Sequence, residues 1–134
     1  MSTFNPDNLA NLGFDGMYVT RTAGETLAFA EVCYLATTGK YKKARANTTN
    51  TMRVVAMATA TLATDASGTF LLKGYIRSDA WTMVTASVKY CSAATAGLMT
   101  STRATATGSQ IQVLGHAETS VIKYFEPDKT LVTI

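Results

Sequence analysis

From residue 17 onward the chain is a succession of short apolar runs punctuated by Gly, Asp, Asn and Ser. Runs fall at 17–21, 27–36, 53–62, 69–77, 84–92, 110–118, 121–125 and 130–134. Within 53–62 small residues alternate with Val54, Val55 and Met57, and 69–77 reads TFLLKGYIR. Short runs at this spacing, bounded by turn formers, predict strands. The fold class expected is therefore all-β, an antiparallel sandwich or barrel of short strands. Only 56–66 invites a helical reading; its threonines and lack of a 3.6-residue apolar period argue against it. Gly74, inside its run, predicts a bulge or a close backbone approach.

The first 16 residues differ. Pro6, Gly13, Gly16 and three Asn predict an irregular, extended N-terminal arm rather than a helix. Phe4, Leu9, Leu12 and Phe14 are spaced along it, so the arm either docks on a neighbour or folds over its own domain. Residues 17–134 are expected to form a single β domain.

Two stretches within that domain are alike. One begins VCYLATTGKYKKARA at Val32, the other VKYCSAATAGLMTSTRA at Val88. Each has a strand reaching Tyr (Tyr34, Tyr90), a turn with Gly (Gly39, Gly97), a basic residue (Arg45, Arg103), a Thr-rich loop and a closing strand, VVAMA or QVLGHA. The expectation is a hairpin-like unit used twice, over about 32–62 and 88–120. The alternative is coincidence in a chain rich in Thr and Ala. Small residues of the closing strands, Gly115 among them, would let another backbone come close.

Composition narrows the function classes. Of the 134 residues 47% are hydrophobic, enough for a core without staples, and only 16% are charged. A net charge of +3, with one basic cluster at Lys40, Lys42, Lys43 and Arg45, reads as a solvated turn; nucleic acid is not an expected partner. Two distant cysteines, Cys33 and Cys91, and one histidine are too few for a zinc site. Whether the cysteines pair is open at this level. The N-terminus lacks a signal-peptide pattern, and no apolar run approaches the ~20 residues of a membrane span, so a protein made in the cytosol with no membrane partner is expected.

Candidate chemistry is sparse. His116 and Glu118 share a strand face at a spacing of two and could form a base and its orienter, as in a small hydrolase. No nucleophile motif accompanies them, and Asp7, Asp15, Asp65, Asp79 and Asp128 sit in predicted turns. The expectation is no enzyme, no cofactor and no metal. Trp81, at a turn after Ser78-Asp79-Ala80, reads as a core plug, an interface anchor or a sugar-stacking platform.

The segment 68–133 carries GYIRSDAW, then VKYCSAATAGLMTS, then QIQVLGHAETSVIKYFEP. This succession resembles a module of tailed-phage virion proteins, of the capsid decoration and head-fibre type. The likeness rests on Gly74, Trp81, Gly97, Gly115 and the Phe125-Glu126-Pro127 ending, and reaches 32–62 more weakly. It implies a small β-rich structural protein on the capsid surface, with the major capsid protein and sister subunits as partners and a homo-oligomer, by analogy a trimer. A tail or fibre component, or a receptor-binding module, is the alternative. On this reading Phe4, Leu9, Leu12, Phe14 and Trp81 are the expected interface, and Gly39, Gly74, Gly97 and Gly115 serve turns or close packing.

Overall fold

A computed structural model describes residues 5–134. The chain is all-β, its strands pairing antiparallel, with one isolated parallel bridge between Ala23 and Tyr41 and single 3₁₀ turns at Pro6–Asn8 and Thr49–Thr51. The strands are β1 (Phe14–Thr22), β2 (Val32–Leu35), β3 (Tyr41–Lys43), β4 (Ala56–Ala58), β5 (Ser67–Arg77), β6 (Val88–Cys91), β7 (Met99–Thr100), β8 (Gln110–Ile111), β9 (Val113–Ala117), β10 (Ile122–Phe125) and β11 (Val132–Thr133). The main sheet runs β3-β2-β4-β5-β10-β9-β6-β7 with β1 added beside β5; β8 and β11 form a separate pair.

Strand β5 is the spine. β1 pairs with it from Ser67 to Ile76, occupying one edge along nearly its whole length. A strand has two edges, so β4 at Phe70–Leu71 and β10 at 74–77 must follow one another along the other. The sheet therefore forks on β5 and curls, with a branch β4-β2-β3 and a branch β10-β9-β6-β7. The branches meet again at their far ends through irregular backbone. Gly97 accepts from the Val32 N–H (2.9 Å) and donates to Ala44 (2.7 Å), while the Ala46 N–H donates to Ser92 (2.9 Å). Backbones approach so closely here because Ala44 and Ala46, both fully buried, offer only a methyl group.

Strand alternation sorts the core into two layers. Val32, Met57 and Leu71 point between the branches with Leu114 and Phe125. Their chain neighbours Cys33, Ala56 and Phe70 point the other way, under Leu27 and Tyr41. Each large side chain buried in this way contributes ~1.5–3 kcal/mol. A buried glutamine holds the two branches together at the strand entrances. The Val54 N–H donates to Gln112 Oε1 (2.9 Å), and Gln112 Nε2 donates to the Val54 and Asp128 carbonyls (3.0 and 2.7 Å).

The two similar segments occupy similar places. In each, the first strand (β2, β6) lies between its hairpin mate (β3, β7) and its closing strand (β4, β9), and the closing strand pairs onward with the next one (β5, β10). Several expected boundaries need correction. The arm expected over 1–16 ends at residue 13, because Phe14, Asp15 and Gly16 already pair with Ile76, Tyr75 and Gly74. The basic stretch read as a solvated turn contains β3, with Tyr41 buried against Phe70 at 4.7 Å between ring centroids. β7 went unforeseen, and the runs 27–36, 53–62 and 84–92 shrink to strands of three or four residues. In two of these the cause is local: Ala30 and Ala86 take positive φ (67° and 71°), which breaks an extended run.

Candidate functional site

Successive pairings line up residues across the sheet. One row runs Gly16, Gly74, Phe125, Gly115, so the fully buried Phe125 ring lies between two glycines. At Gly74 φ is +152°, and a Cβ there would be driven into the Asp15 carbonyl oxygen of β1. Only glycine tolerates both. Gly115 (φ +141°) meets the Tyr124 carbonyl in the same way. Gly39 and Gly97 stand in the β2–β3 and β6–β7 turns.

The next row faces outward and reads Asp15, Tyr75, Tyr124, His116, Val88. Its rings are in contact: Tyr75 to Tyr124 at 4.9 Å between centroids, and Tyr124 to His116 at 5.3 Å. Carboxylates fix their polar ends. The Tyr124 hydroxyl donates to Glu126 Oε2 (2.7 Å), Lys73 Nζ lies 3.4 Å from Glu126 Oε1, and His116 Nε2 lies 2.7 Å from Glu118 Oε2. Desolvation, reinforced by the Glu126 hydrogen bond and charge and by Tyr75, pushes the Tyr124 phenol up to about 12. The hydrogen bond from Tyr124, and then Lys73, holds Glu126 below the ordinary carboxylate range. Tyr124 is thus a neutral donor at physiological pH beside an ionised acceptor. A shallow depression of about 340 Å³, lined by Gly16, Met17, Gly74, Tyr75 and Tyr124, borders the row at β1.

This row was missed in the sequence. Tyr75 and Tyr124 each sit beside a residue of the glycine row, in GYIR and KYF, and strand alternation puts both on the opposite face. The pairing that joins them spans 49 positions, and nothing local encodes it.

The expected interface residues fall elsewhere. Phe4 lies outside the described residues. Leu9 and Leu12 are tied to their own domain: Arg77 Nη1 donates to the Leu9 carbonyl (2.8 Å), and the Leu12 N–H donates to Arg77 (2.9 Å). Leu12 nevertheless exposes its side chain (54%). Phe14 packs on the core and meets Tyr18 edge-on at 5.6 Å. Trp81 is half-buried, stacked on Phe29 at 6.2 Å, with the Lys123 ammonium 4.1 Å from its ring centroid. Burial, and then the charge of Lys89, pushes the Lys123 amine down to about 8.

Other candidates resolve in the same way. Both cysteines are free and buried, Cys33 in one core layer and Cys91 in the other; burial pushes both thiols up to about 12, so they are protonated and poor nucleophiles at neutral pH. His116 and Glu118 do meet, as their spacing suggested, and the other neighbour of His116 is the Tyr124 ring. The basic cluster is dispersed: Lys40 pairs with Asp65 (2.7 Å), Lys43 lies 3.9 Å from Glu31, and Arg45 Nε donates to the Ala93 carbonyl (2.8 Å). Among the described residues no helix is long and apolar enough to cross a membrane. Comparison with protein-family models, with curated proteins and with solved structures gave no match.

Proposed function

We propose that the chain is a non-enzymatic structural subunit that decorates a tailed-phage capsid, held there by surface contact with the major capsid protein and with sister subunits. The observation that carries the adhesive part is the β1 flank. Leu12 (54% exposed), Met17 (62%) and Tyr18 (59%) stand in water along one edge of the sheet. Met17 also lines the depression that leads to the Tyr75–Tyr124 pair. Large apolar side chains gathered at one edge mark a contact surface. A patch burying on the order of 1,600 Å² gives stable attachment, and repetition over a symmetric shell multiplies weaker contacts. The phage setting comes from the sequence resemblance alone.

The test mixes purified chain with phage heads that lack it and measures co-sedimentation. Saturable binding is expected, weakened at least tenfold by Tyr18→Asp with the melting temperature unchanged. No binding, or binding indifferent to Tyr18→Asp, contradicts the reading.

The outward row favours a second reading, a receptor-binding module of a tail or fibre. Packed tyrosines beside Glu118 and Glu126 offer a sugar both a flat apolar face and hydrogen-bond acceptors. A glycan array is the check. Hits abolished by Tyr124→Ala favour this reading, and an array without hits dismisses it.

A further inference from the structure

β1 is nine residues long and pairs along its length with β5 alone; only at its far end does β3 reach it, through the parallel bridge of Ala23 with Tyr41. A strand edge of this length offers a row of unpaired backbone groups that a further strand can take up. Three features of this edge point to a second copy of the same chain.

The first is which backbone groups face outward. The Arg77 N–H donates to Gly13 and its carbonyl accepts from Leu12, so Arg77 faces β1. By alternation Tyr75 and Lys73 do too, and bond with their partners Asp15 and Met17. Gly16, between them, turns its N–H and C=O away from β5. Beyond the bulge the extra residue, Leu72, belongs to β5 and not to β1. There the Thr69 carbonyl accepts from Thr59, so Thr69 faces β4 and its partner Thr20 faces outward. Both halves of β1 therefore agree: the even positions, Phe14 to Thr20, present their backbone to the free edge, while Thr22 faces Tyr41 of β3.

The second is the position of the charges. Asp15 and Arg21 are both exposed, and neither enters an ion pair among the described residues. Each folds onto the adjacent edge backbone instead. Asp15 Oδ1 accepts from the Gly16 N–H (2.8 Å), and Arg21 Nη1 contacts the Thr20 carbonyl (3.3 Å). Asp15 and Arg21 lie three residues either side of Tyr18.

The third follows from combining these. When β1 is laid antiparallel against itself with Tyr18 opposite Tyr18, the outward backbones meet: Gly16 opposite Thr20 on either side of the Tyr18 pair, the ladder ending before Thr22, where β3 stands. The same register, and no other centred on an outward-facing residue, sets Asp15 opposite Arg21 of the second copy, twice. Asp15 and Arg21 then fall at the closely spaced, non-hydrogen-bonded positions of an antiparallel ladder, where opposite charges attract most. Met17 lies opposite Val19, covering the exposed thioether.

We propose that two copies of this chain join edge to edge through β1, in antiparallel register about Tyr18, with Asp15 and Arg21 forming two symmetric ion pairs. The inference rests on the adhesive reading only in sharing the β1 flank, and it names a sister subunit as what covers the edge. Such a two-fold interface closes at two copies, whereas the phage resemblance implies three.

Sedimentation equilibrium of the full chain, from low micromolar to a few hundred micromolar, provides the test. A monomer–dimer equilibrium is expected. Asp15→Arg or Arg21→Asp alone weakens it at least tenfold, since each places like charges opposite one another at both pairs. The double exchange Asp15→Arg with Arg21→Asp restores it, and an equimolar mixture of the two single variants forms a heterodimer. All these positions are exposed, and thermal melts confirm the fold of each variant. A monomer throughout the range, or a dimer indifferent to the single reversals, overturns the proposal. A chain that binds phage heads but stays monomeric loses this inference alone and keeps the adhesive reading.

Discussion

At the scale of single residues the fold depends on a few positions with no alternative side chain. Gly74 combines a backbone conformation reserved for glycine with a carbonyl where its Cβ would go, so Gly74→Ala should cost about 3 kcal/mol or more. Gly39, with φ +82° and open space around it, gives the control: Gly39→Ala should cost about 1 kcal/mol, the conformational part alone. Urea unfolding of the two variants separates steric from conformational cost. Lys123 works against stability. In the native state its amine loses the proton near pH 8, in the unfolded chain near 10.5. Below about pH 8 both states are protonated, and the native state bears the full cost of a buried charge. As the pH rises toward 10.5 the native state sheds that cost first, so this residue's contribution to stability rises. Lys123→Met, which keeps the stem over Trp81, should therefore gain stability relative to the parent at pH 7. That gain should shrink by about 2–3 kcal/mol by pH 10 in paired urea titrations.

At the scale of elements the protein is two hairpin-and-return units on a shared spine, and the sequence shows some of this clearly. The run TFLLKGYIR is rich in β-formers and bounded by turn residues, and it becomes the longest strand. The likeness of the stretches from Val32 and Val88 corresponds to equivalent strand orders around β2 and β6. β3 and β7 were not legible, because two or three residues carry no periodicity, and lysines at 42 and 43 read as turn. Nor was the outward row: Asp15, Tyr75, Tyr124 and His116 come from four strands whose register is set by bulges and glycines rather than by any local pattern. Whether the N-terminal segment docks on a neighbour or folds over its own domain stayed open in the sequence for a related reason. Its polar, turn-rich composition is real, but Arg77 and Asp79 hold it through the Leu9 carbonyl and Asn11 Oδ1. Tertiary hydrogen bonds of this sort leave no trace in the segment itself. Gln112 shows how closely the units depend on each other. It satisfies both the N–H and the C=O of Val54, and both residues are buried. Gln112→Ala leaves those groups unpaired, and a loss of about 2–4 kcal/mol is expected, read from the midpoint of denaturant unfolding.

At the scale of the whole molecule the arrangement is a curled sheet, with large apolar side chains packed inside it and an outward row of tyrosines and carboxylates beside β1. The two thiols, the buried lysine over Trp81 and the glutamine clamp all serve the interior. Met17, Tyr18, the charges at 15 and 21 and the tyrosine row stand outside, on or beside β1. The account therefore places contact with other subunits at this strand. Hydrogen exchange followed by mass spectrometry tests that most directly, comparing the peptide spanning 14–22 in dilute free chain and in chain bound to phage heads. The account predicts that the outward-facing amides of Tyr18 and Thr20 exchange readily when free and slow at least tenfold on assembly. Unchanged exchange over 14–22, with protection appearing elsewhere on the sheet, would contradict it.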